Sequence, residues 1–220
     1  MPDSFDSELG QRVHQELLRL GIETPMLSSS RSGDKIQQIQ EHIAAIMDIL
    51  ELDRKDDSLV STPHRVAKMM INETFSGLNY KNFPKCTRIA NSMNYRGSYV
   101  LEKKITIYST CEHHFVPIVG YANIAYVPKN YIVGLSKLNR LADFFSRRPQ
   151  VQERLTEQIR ASIAYVTETQ DVAVQIDAVH LCVRSRGVRH TDSTTSTFSG
   201  TGVFGEPGSF ARQEFIADCR

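Results

Sequence analysis

The chain lacks the features of a secreted or membrane-embedded protein. Its 220 residues contain no apolar run of membrane-spanning length, and residues 1–6 have neither the basic nor the apolar segment of a signal peptide. The four cysteines are too few and too scattered for the disulfide framework of a small secreted domain. We therefore expect a soluble, intracellular protein with a cytoplasmic location, where thiols stay reduced.

A strong net charge is also absent. Lys and Arg total 26 and Asp and Glu total 25, so the formal net charge is +1. No overall electrostatic field favours nucleic acid or a membrane surface, and any anion must be bound by a local cluster. The length is sufficient for a sizeable core, in one domain or in one domain with a smaller extension.

The first third of the chain has the periodicity of helices. Apolar residues recur at helical spacing in 13–20 and in 36–50, and the stretch 28–33 between them has the composition of a mobile linker. A third helix is predicted to start with Thr62 as its N-cap and to continue to a glycine. Such aliphatic stripes are typical of core or subunit contacts, so residues 1–84 are predicted to form a helical region that supplies oligomer contacts.

From residue 85 the pattern becomes that of mixed strands and helices. The predicted elements are strands at 100–109 and 119–127, helices at 136–145 and from Pro149, and strands at 172–186 and 191–199. The order β-β-α-α-β-β predicts an α+β domain over residues 85–220. The turn between the first two strands contains a cluster of metal-binding residue types.

That cluster, Cys111-Glu112-His113-His114, has a counterpart in His180-Leu181-Cys182. A Cys₂His ligand set suits Zn²⁺ and leaves the fourth tetrahedral position for a reactive water. The two clusters contain more imidazoles than such a site needs, which favours a catalytic site. A structural four-ligand zinc site is one alternative, and buried cysteines beside hydrogen-bonded histidines are another.

Basic residues occur near both clusters. Lys137 and Arg140 share a face at the start of the helix for which Ser136 is the predicted N-cap, where free N–H groups and the helix dipole favour phosphate. Alternation along the predicted strand 172–186 places four residues on one face: His180, Cys182, Arg184 and Arg186. A capped helix start and a solvated strand edge are common features. Together, however, these residues favour a polyphosphate.

Gln152 and Glu153 lie in the first turn of the next predicted helix. A carboxylate there complements the helix dipole, which is the ordinary interpretation. The alternative is that the amide and the carboxylate recognise N–H groups on the edge of a purine.

Five stretches resemble motifs of the GTP cyclohydrolase I family: 62–69, 109–115, 134–140, 148–156 and 180–187. The resemblance runs from about residue 34 to the C-terminus, with the motifs in order. It implies a tunnel-fold domain with an N-terminal helical extension, assembled as a homodecamer with active sites between subunits. It also implies that GTP and water are converted to 7,8-dihydroneopterin triphosphate and formate, the first step of folate and pterin biosynthesis.

The resemblance further implies roles for individual residues. The Zn²⁺ ligands would be Cys111, His114 and Cys182. The catalytic residues would be His180 as the acid that opens the ring, His113 as a second proton carrier, and Ser136 in the later ribose rearrangement. The GTP-binding residues would be Lys137, Arg140 and Arg186 for the triphosphate, Arg65 from a neighbouring subunit, and Gln152 and Glu153 for guanine.

Two other functions fit parts of the pattern. A different tunnel-fold enzyme, acting on a pterin or deazapurine, would share the architecture and the ring-recognising glutamate. The paired metal clusters with the phosphate-binding set favour the cyclohydrolase. A zinc-stabilised nucleic-acid-binding module would need a basic, aromatic-rich face, and the net charge of +1 argues against it. We therefore expect neither nucleic acid nor a membrane as a partner.

Overall fold

The computed structural model describes residues 5–27, 33–95 and 99–220. All but the last residue of the predicted linker 28–33 lies outside these residues. None of the helices within the described ranges combines the length and the apolar character that a bilayer crossing requires.

Three helices precede the main sheet: α1 (Ser7–Arg19), α2 (Lys35–Ile49) and α3 (Thr62–Met69). The first contributes Val13 and Leu17 to the hydrophobic core of the sheet domain, and both are fully buried. The second instead leaves apolar residues such as Ile49 exposed. The division between residues 84 and 85 stays a prediction, and α1 shares its core with the residues beyond that division.

The start of α3 differs from the prediction. Ser61 is the N-cap rather than Thr62, and it makes no side-chain capping bond. Pro63, the second residue of the helix, fixes φ near its helical value and has no N–H, so one of the donors that a cap hydroxyl would accept from is missing. The helix passes into a π-helical turn at Met70–Thr74 and then a 3₁₀ turn at Ser76–Leu78.

The main sheet has five strands in the order β5-β2-β3-β6-β7. They are β2 (Val100–Cys111), β3 (Pro117–Tyr126), β5 (Pro149–Gln150), β6 (Val172–His180) and β7 (Thr195–Gly200). Neighbouring strands are antiparallel except for the short β5, which runs parallel to β2. A separate two-stranded ladder joins β1 (Arg88–Ala90) and β4 (Tyr131–Val133). The predicted hairpin of β2 and β3 is confirmed.

The helices α4 (Leu135–Ser146) and α5 (Gln152–Thr167) pack against this sheet, and α6 (Leu181–Arg184) and α7 (Phe210–Asp218) follow β6 and β7. Helix α5 buries Leu155, Ile159 and Ile163 completely. Burying an aliphatic side chain of this size contributes about 1.5–3 kcal/mol. The α+β architecture and the order β-β-α-α-β-β are therefore as predicted, with a curled sheet consistent with the tunnel fold.

Two helix starts were predicted wrongly. Gly134, not Ser136, is the N-cap of α4, so Ser136 lies inside the first turn. Pro149 does not begin a helix, because its segment pairs with the end of β2 and the helix starts only after Val151. This pairing is a contact between distant segments, so a local helix signal could not reveal it.

The long strand predicted over 172–186 is also wrong, since β6 ends at His180. On one side of β6, His180 pairs with Ile118, the second residue of β3. On the other side, β7 begins opposite Ala178 and does not extend to His180. Residues after 180 therefore have no strand to pair with, and they form a helical turn closed by the Ser185 N–H donating to the Leu181 carbonyl at 2.9 Å. The residues Cys182, Arg184 and Arg186 consequently do not share a strand face with His180.

A buried ion pair joins the N-terminal segment to the residues that precede β5. The Arg148 side chain is 0% exposed and its Nη1 lies 3.0 Å from Glu23 Oε1, itself 5% exposed. Tyr80 also donates its hydroxyl to the Glu23 carboxylate, and burial raises the pKa of this phenol. Nearby, a Cβ on Gly77 would lie 2.0 Å from the Phe144 carbonyl oxygen, so only glycine fits where these segments cross.

We expect Arg148→Met to lower the free energy of unfolding by about 3–5 kcal/mol, because the buried Glu23 carboxylate loses its guanidinium and keeps only Tyr80 and His14 as side-chain partners. Denaturant unfolding at a fixed protein concentration measures the change. The double variant Glu23→Gln/Arg148→Met, which removes both charges, should lose less. A double variant less stable than Arg148→Met would contradict this account.

Candidate metal centre and substrate site

The three predicted ligands come together where strands β2 and β6 end. The ligand atoms of Cys111, His114 and Cys182 all lie within 4.8 Å of one another, and Cys111 Sγ is 4.0 Å from His114 Nδ1. Ligand atoms around a tetrahedral zinc lie about 3.5–3.8 Å apart, given its usual bond lengths. A closure of about 1 Å would therefore suffice, and two thiols with one imidazole are a donor set that zinc accepts.

The number of candidate ligands distinguishes a catalytic zinc site from a structural one. Among the residues that the structure describes, no fourth His, Cys, Asp or Glu belongs to this group. A structural zinc site normally has four protein ligands, whereas a catalytic site keeps one position open. The group of three thus fits an open site.

The turn that presents two of these ligands is held by backbone bonds and by an unusual φ. Cys111 donates its N–H to the Val116 carbonyl at 2.9 Å, and Phe115 donates to the Cys111 carbonyl at 2.9 Å. Phe115 has φ +52°, a left-handed conformation that costs a side-chain-bearing residue about 1–2 kcal/mol. Its ring lies 5.4 Å from that of Phe75 in the N-terminal region. Sequence reasoning did not find this residue, because nothing in the pattern marks a left-handed phenylalanine.

The surroundings of Cys182 hold its thiol protonated. Burial raises the pKa of Cys182, and the neighbouring Cys111 raises it further, while the Arg186 charge opposes both. The Cys182 thiol therefore resists becoming a thiolate in the absence of a positive ion. A bound metal ion supplies that charge, and its binding would release protons.

Residues 111–116, which carry Cys111 and His114, form the candidate metal-binding turn. Glu112 connects this metal-binding turn to α5. Its carboxylate accepts two hydrogen bonds from Arg154, at 2.6 and 3.3 Å, and the Arg154 guanidinium lowers its pKa. Its backbone N–H donates to the Gln150 carbonyl at 3.0 Å. The neighbouring His113 is exposed, with Nδ1 3.8 Å from Cys111 Sγ. The turn and the start of α5 are therefore connected by both backbone and side chain.

His180 ends β6 and contacts the first residue of α5. Its Nε2 lies 2.8 Å from Gln152 Oε1. Burial lowers the pKa of His180, and the negative charge of Glu153 opposes this shift. Glu153 itself is exposed, whereas the Gln152 side chain is buried and bonded within the chain. The predicted contact of Gln152 with a substrate stays a prediction.

The predicted phosphate-binding residues lie on three elements. Lys137 and Arg140 are half-buried in the first turns of α4. Burial raises the pKa of Cys86 to about 12, and the charges of these two residues oppose it, which places this thiol near both. Arg186 is exposed after α6, and its positive charge opposes the rise that burial causes in the pKa of Cys182.

The other predicted residues are less closely connected to the site. Ser136 and Arg65 are exposed on α4 and α3. Arg184 donates to the Thr191 carbonyl at 2.6 Å and so holds its own loop. The predicted roles of Ser136, Lys137, Arg140, Arg186 and Arg65 stay predictions.

Comparison with known proteins adds an independent finding. The family model of GTP cyclohydrolase I matches residues 39–220. A GTP cyclohydrolase 1 of Erwinia tasmaniensis is 51% identical over 211 residues, which cover 94% of this chain and 95% of that protein. A GTP cyclohydrolase 1 of Yersinia enterocolitica is 48% identical over 215 residues, covering 97% of each. A solved structure, the apo form of archaeosine synthase QueF-Like, matches with a TM-score of 0.42 and 14% identity over 51% of this chain and 100% of that chain.

We expect Arg154→Gln to speed the loss of bound metal roughly tenfold, because the Glu112 carboxylate would no longer hold the metal-binding turn against α5. Transfer of metal to a chromogenic chelator measures the rate. Arg147→Gln is the matched control, since it removes an exposed ion pair with Asp143 and should leave the rate unchanged. Equal rates in all three proteins would show that the pair does not support the turn.

Proposed function

The chain belongs to the GTP cyclohydrolase I family, and we propose that it converts GTP and water to 7,8-dihydroneopterin triphosphate and formate, the first step of folate and pterin biosynthesis. The observation that carries the proposal is the convergence of Cys111, His114 and Cys182, the last of them two residues after His180 in the chain. In this reaction C8 of the purine ring leaves as formate, so the site must supply a nucleophile to C8 and a proton to the ring nitrogen that departs.

We propose Zn²⁺ as the bound ion, held by Cys111, His114 and Cys182. When bound, zinc supplies the Lewis acidity that makes a water molecule nucleophilic near neutral pH. The donor set supports this choice, because two thiolates and an imidazole suit zinc far better than Mg²⁺ or Ca²⁺, which prefer oxygen ligands.

His180 is proposed to deliver the proton to N7 as the bond from C8 to nitrogen weakens. Imidazole suits this task because its ordinary pKa lies near neutrality. The ring is half-buried and is held at the end of β6 by its bond to the neighbouring helix. His113, exposed beside Cys111, is proposed as a second proton carrier.

The substrate would lie between the start of α5 and the basic residues. Glu153 is exposed in the first turn of α5, and its carboxylate can accept hydrogen bonds from N–H groups of guanine, with Gln152 at the same end of the site. Lys137, Arg140 and Arg186 are proposed to bind the triphosphate and Ser136 to assist the ribose rearrangement. Arg65 is proposed to reach the site of a neighbouring subunit.

We also propose a homodecamer with active sites between subunits. The exposed apolar face of α2 supports subunit contact, since Ile46 is 50% exposed and Ile49 is 79% exposed. A cytoplasmic location is proposed as well. Its support is that all four cysteines, two of them proposed ligands, are free thiols.

The direct test is incubation of the purified protein with GTP, followed by measurement of formate and of the fluorescent pterin formed on oxidation. Cys182→Ala should abolish both products and reduce bound zinc, because it leaves only two protein ligands. Cys219→Ala, in the C-terminal residues of the chain, is the control and should retain zinc and activity. Undiminished turnover by Cys182→Ala after metal stripping would overturn the zinc proposal.

Arg186→Ala should chiefly raise KM for GTP, roughly tenfold, because a charged hydrogen bond to phosphate is worth about 1.5–3 kcal/mol. The effect should diminish at high salt, which weakens the wild-type interaction. Arg12→Ala, an arginine on α1, is the control. An unchanged KM at low salt would rule out a phosphate contact for Arg186.

A further inference from the structure

Gln152 is a polar residue that the fold buries almost completely. It is the first residue of α5 and only 1% exposed, although α5 begins near the proposed substrate. Burying an amide without partners costs on the order of 1–3 kcal/mol. The hydrogen-bond partners of the Gln152 amide therefore indicate the role of this side chain.

Both ends of the amide are bonded within the chain. Nε2 donates to the Ile176 carbonyl at 3.0 Å and the Thr195 carbonyl at 2.9 Å, and it lies 3.1 Å from Thr197 Oγ1. Oε1 faces His180 Nε2 at 2.8 Å. The amide thus bridges two strands, β6 and β7, to a histidine.

This network fixes the orientation of the amide. If the amide were rotated by 180°, its oxygen would face the carbonyl oxygens of Ile176 and Thr195, which can only accept hydrogen bonds. The oxygen must therefore point to His180. Because that oxygen cannot donate, the hydrogen between the two side chains must be on His180 Nε2.

We propose that Gln152 is a positioning residue that fixes the ring plane and the tautomer of His180, and that it acts through this histidine rather than by contacting guanine. The inference rests on the proposed function of His180. With Nε2 keeping its hydrogen on Gln152, His180 acts as an acid only as the imidazolium, which gives up its proton from Nδ1 and is left as the neutral Nε2–H tautomer.

The position of Gln152 in the chain adds a geometric consequence. The next residue is Glu153, the proposed acceptor for guanine. Gln152, which holds His180, and Glu153, which is proposed to bind guanine, are therefore adjacent residues. The spacing between proton donor and purine is set by the first turn of α5, whose start is in turn fixed to β6 and β7 by the amide.

Two substitutions separate the acceptor from the donors of the amide. Gln152→Met keeps the length of the side chain but loses both. Gln152→Glu keeps an oxygen for His180 but places a second oxygen against two carbonyl groups, so it should be less stable than the wild type. We expect kcat to fall roughly 10- to 100-fold in Gln152→Met, the range for residues that orient a ligand or catalytic group, and to fall less in Gln152→Glu.

KM and bound zinc should stay within about twofold in both variants, since neither a substrate contact nor a metal ligand is removed. Ser199→Ala is the control, because it removes a different bond between β7 and α5, to Glu157 at 2.8 Å, and should leave kcat unchanged. A raised KM with unchanged kcat in Gln152→Met would instead identify a guanine contact. A kcat that follows stability, with Gln152→Glu no better than Gln152→Met, would identify a purely structural role.

The tautomer can be measured without turnover. Solid-state ¹⁵N NMR of the wild-type protein labelled at histidine, with the His180 signals identified by their loss in His180→Ala, should show neutral His180 with hydrogen on Nε2. Hydrogen on Nδ1 alone would overturn the inference. If the wild-type protein released no formate from GTP, the proposed function would fail while this measurement still tested the role of Gln152.

Discussion

The site depends on where two strands end and a third begins. Strand β2 ends at Cys111, β3 begins at Pro117, and β6 ends at His180, which pairs with Ile118. Because these strand ends lie on the same side of the sheet, the end of β2 and the turn after β6 meet, and each brings one cysteine to the candidate metal site. Backbone without a strand partner must form its hydrogen bonds locally, so the chain forms turns where these strands end. The candidate ligands therefore lie where the chain leaves the sheet.

The segment from Arg148 to Arg154 is the second organising feature. Within it, Arg148 binds Glu23, Gln150 pairs with Cys111, Gln152 binds His180, and Arg154 binds Glu112. A single stretch of chain thereby fixes the N-terminal segment, the metal-binding turn and the proposed acid relative to one another. Most of these contacts are buried or half-buried, where hydrogen bonds and ion pairs are screened less by water than at the surface.

Much of this was accessible from the sequence. The spacing within residues 111–114 and 180–182 predicted a metal site, and the family resemblance implied that Cys111, His114 and Cys182 are its ligands. Segments rich in β-branched and aromatic residues predicted the hairpin that carries part of the site. The end of β6 was missed because it depends on the lengths of two partner strands rather than on residues 181–186 themselves. The bonds of Gln152 were missed for a similar reason, since a glutamine at a helix start has the same local signal whether it faces solvent or two distant carbonyl groups.

The buried pair of Arg148 and Glu23 has a consequence for what counts as a folding unit. The family model matches from residue 39 onward, yet the carboxylate that pairs with Arg148 lies before that residue. A polypeptide cut to residues 39–220 would keep every proposed catalytic residue and still enclose a guanidinium without its counter-ion. Independent folding of that fragment is therefore limited by one charge from the segment before it, and α1, which buries Val13 and Leu17 in the same core, belongs to the interior of the protein as much as to its exterior.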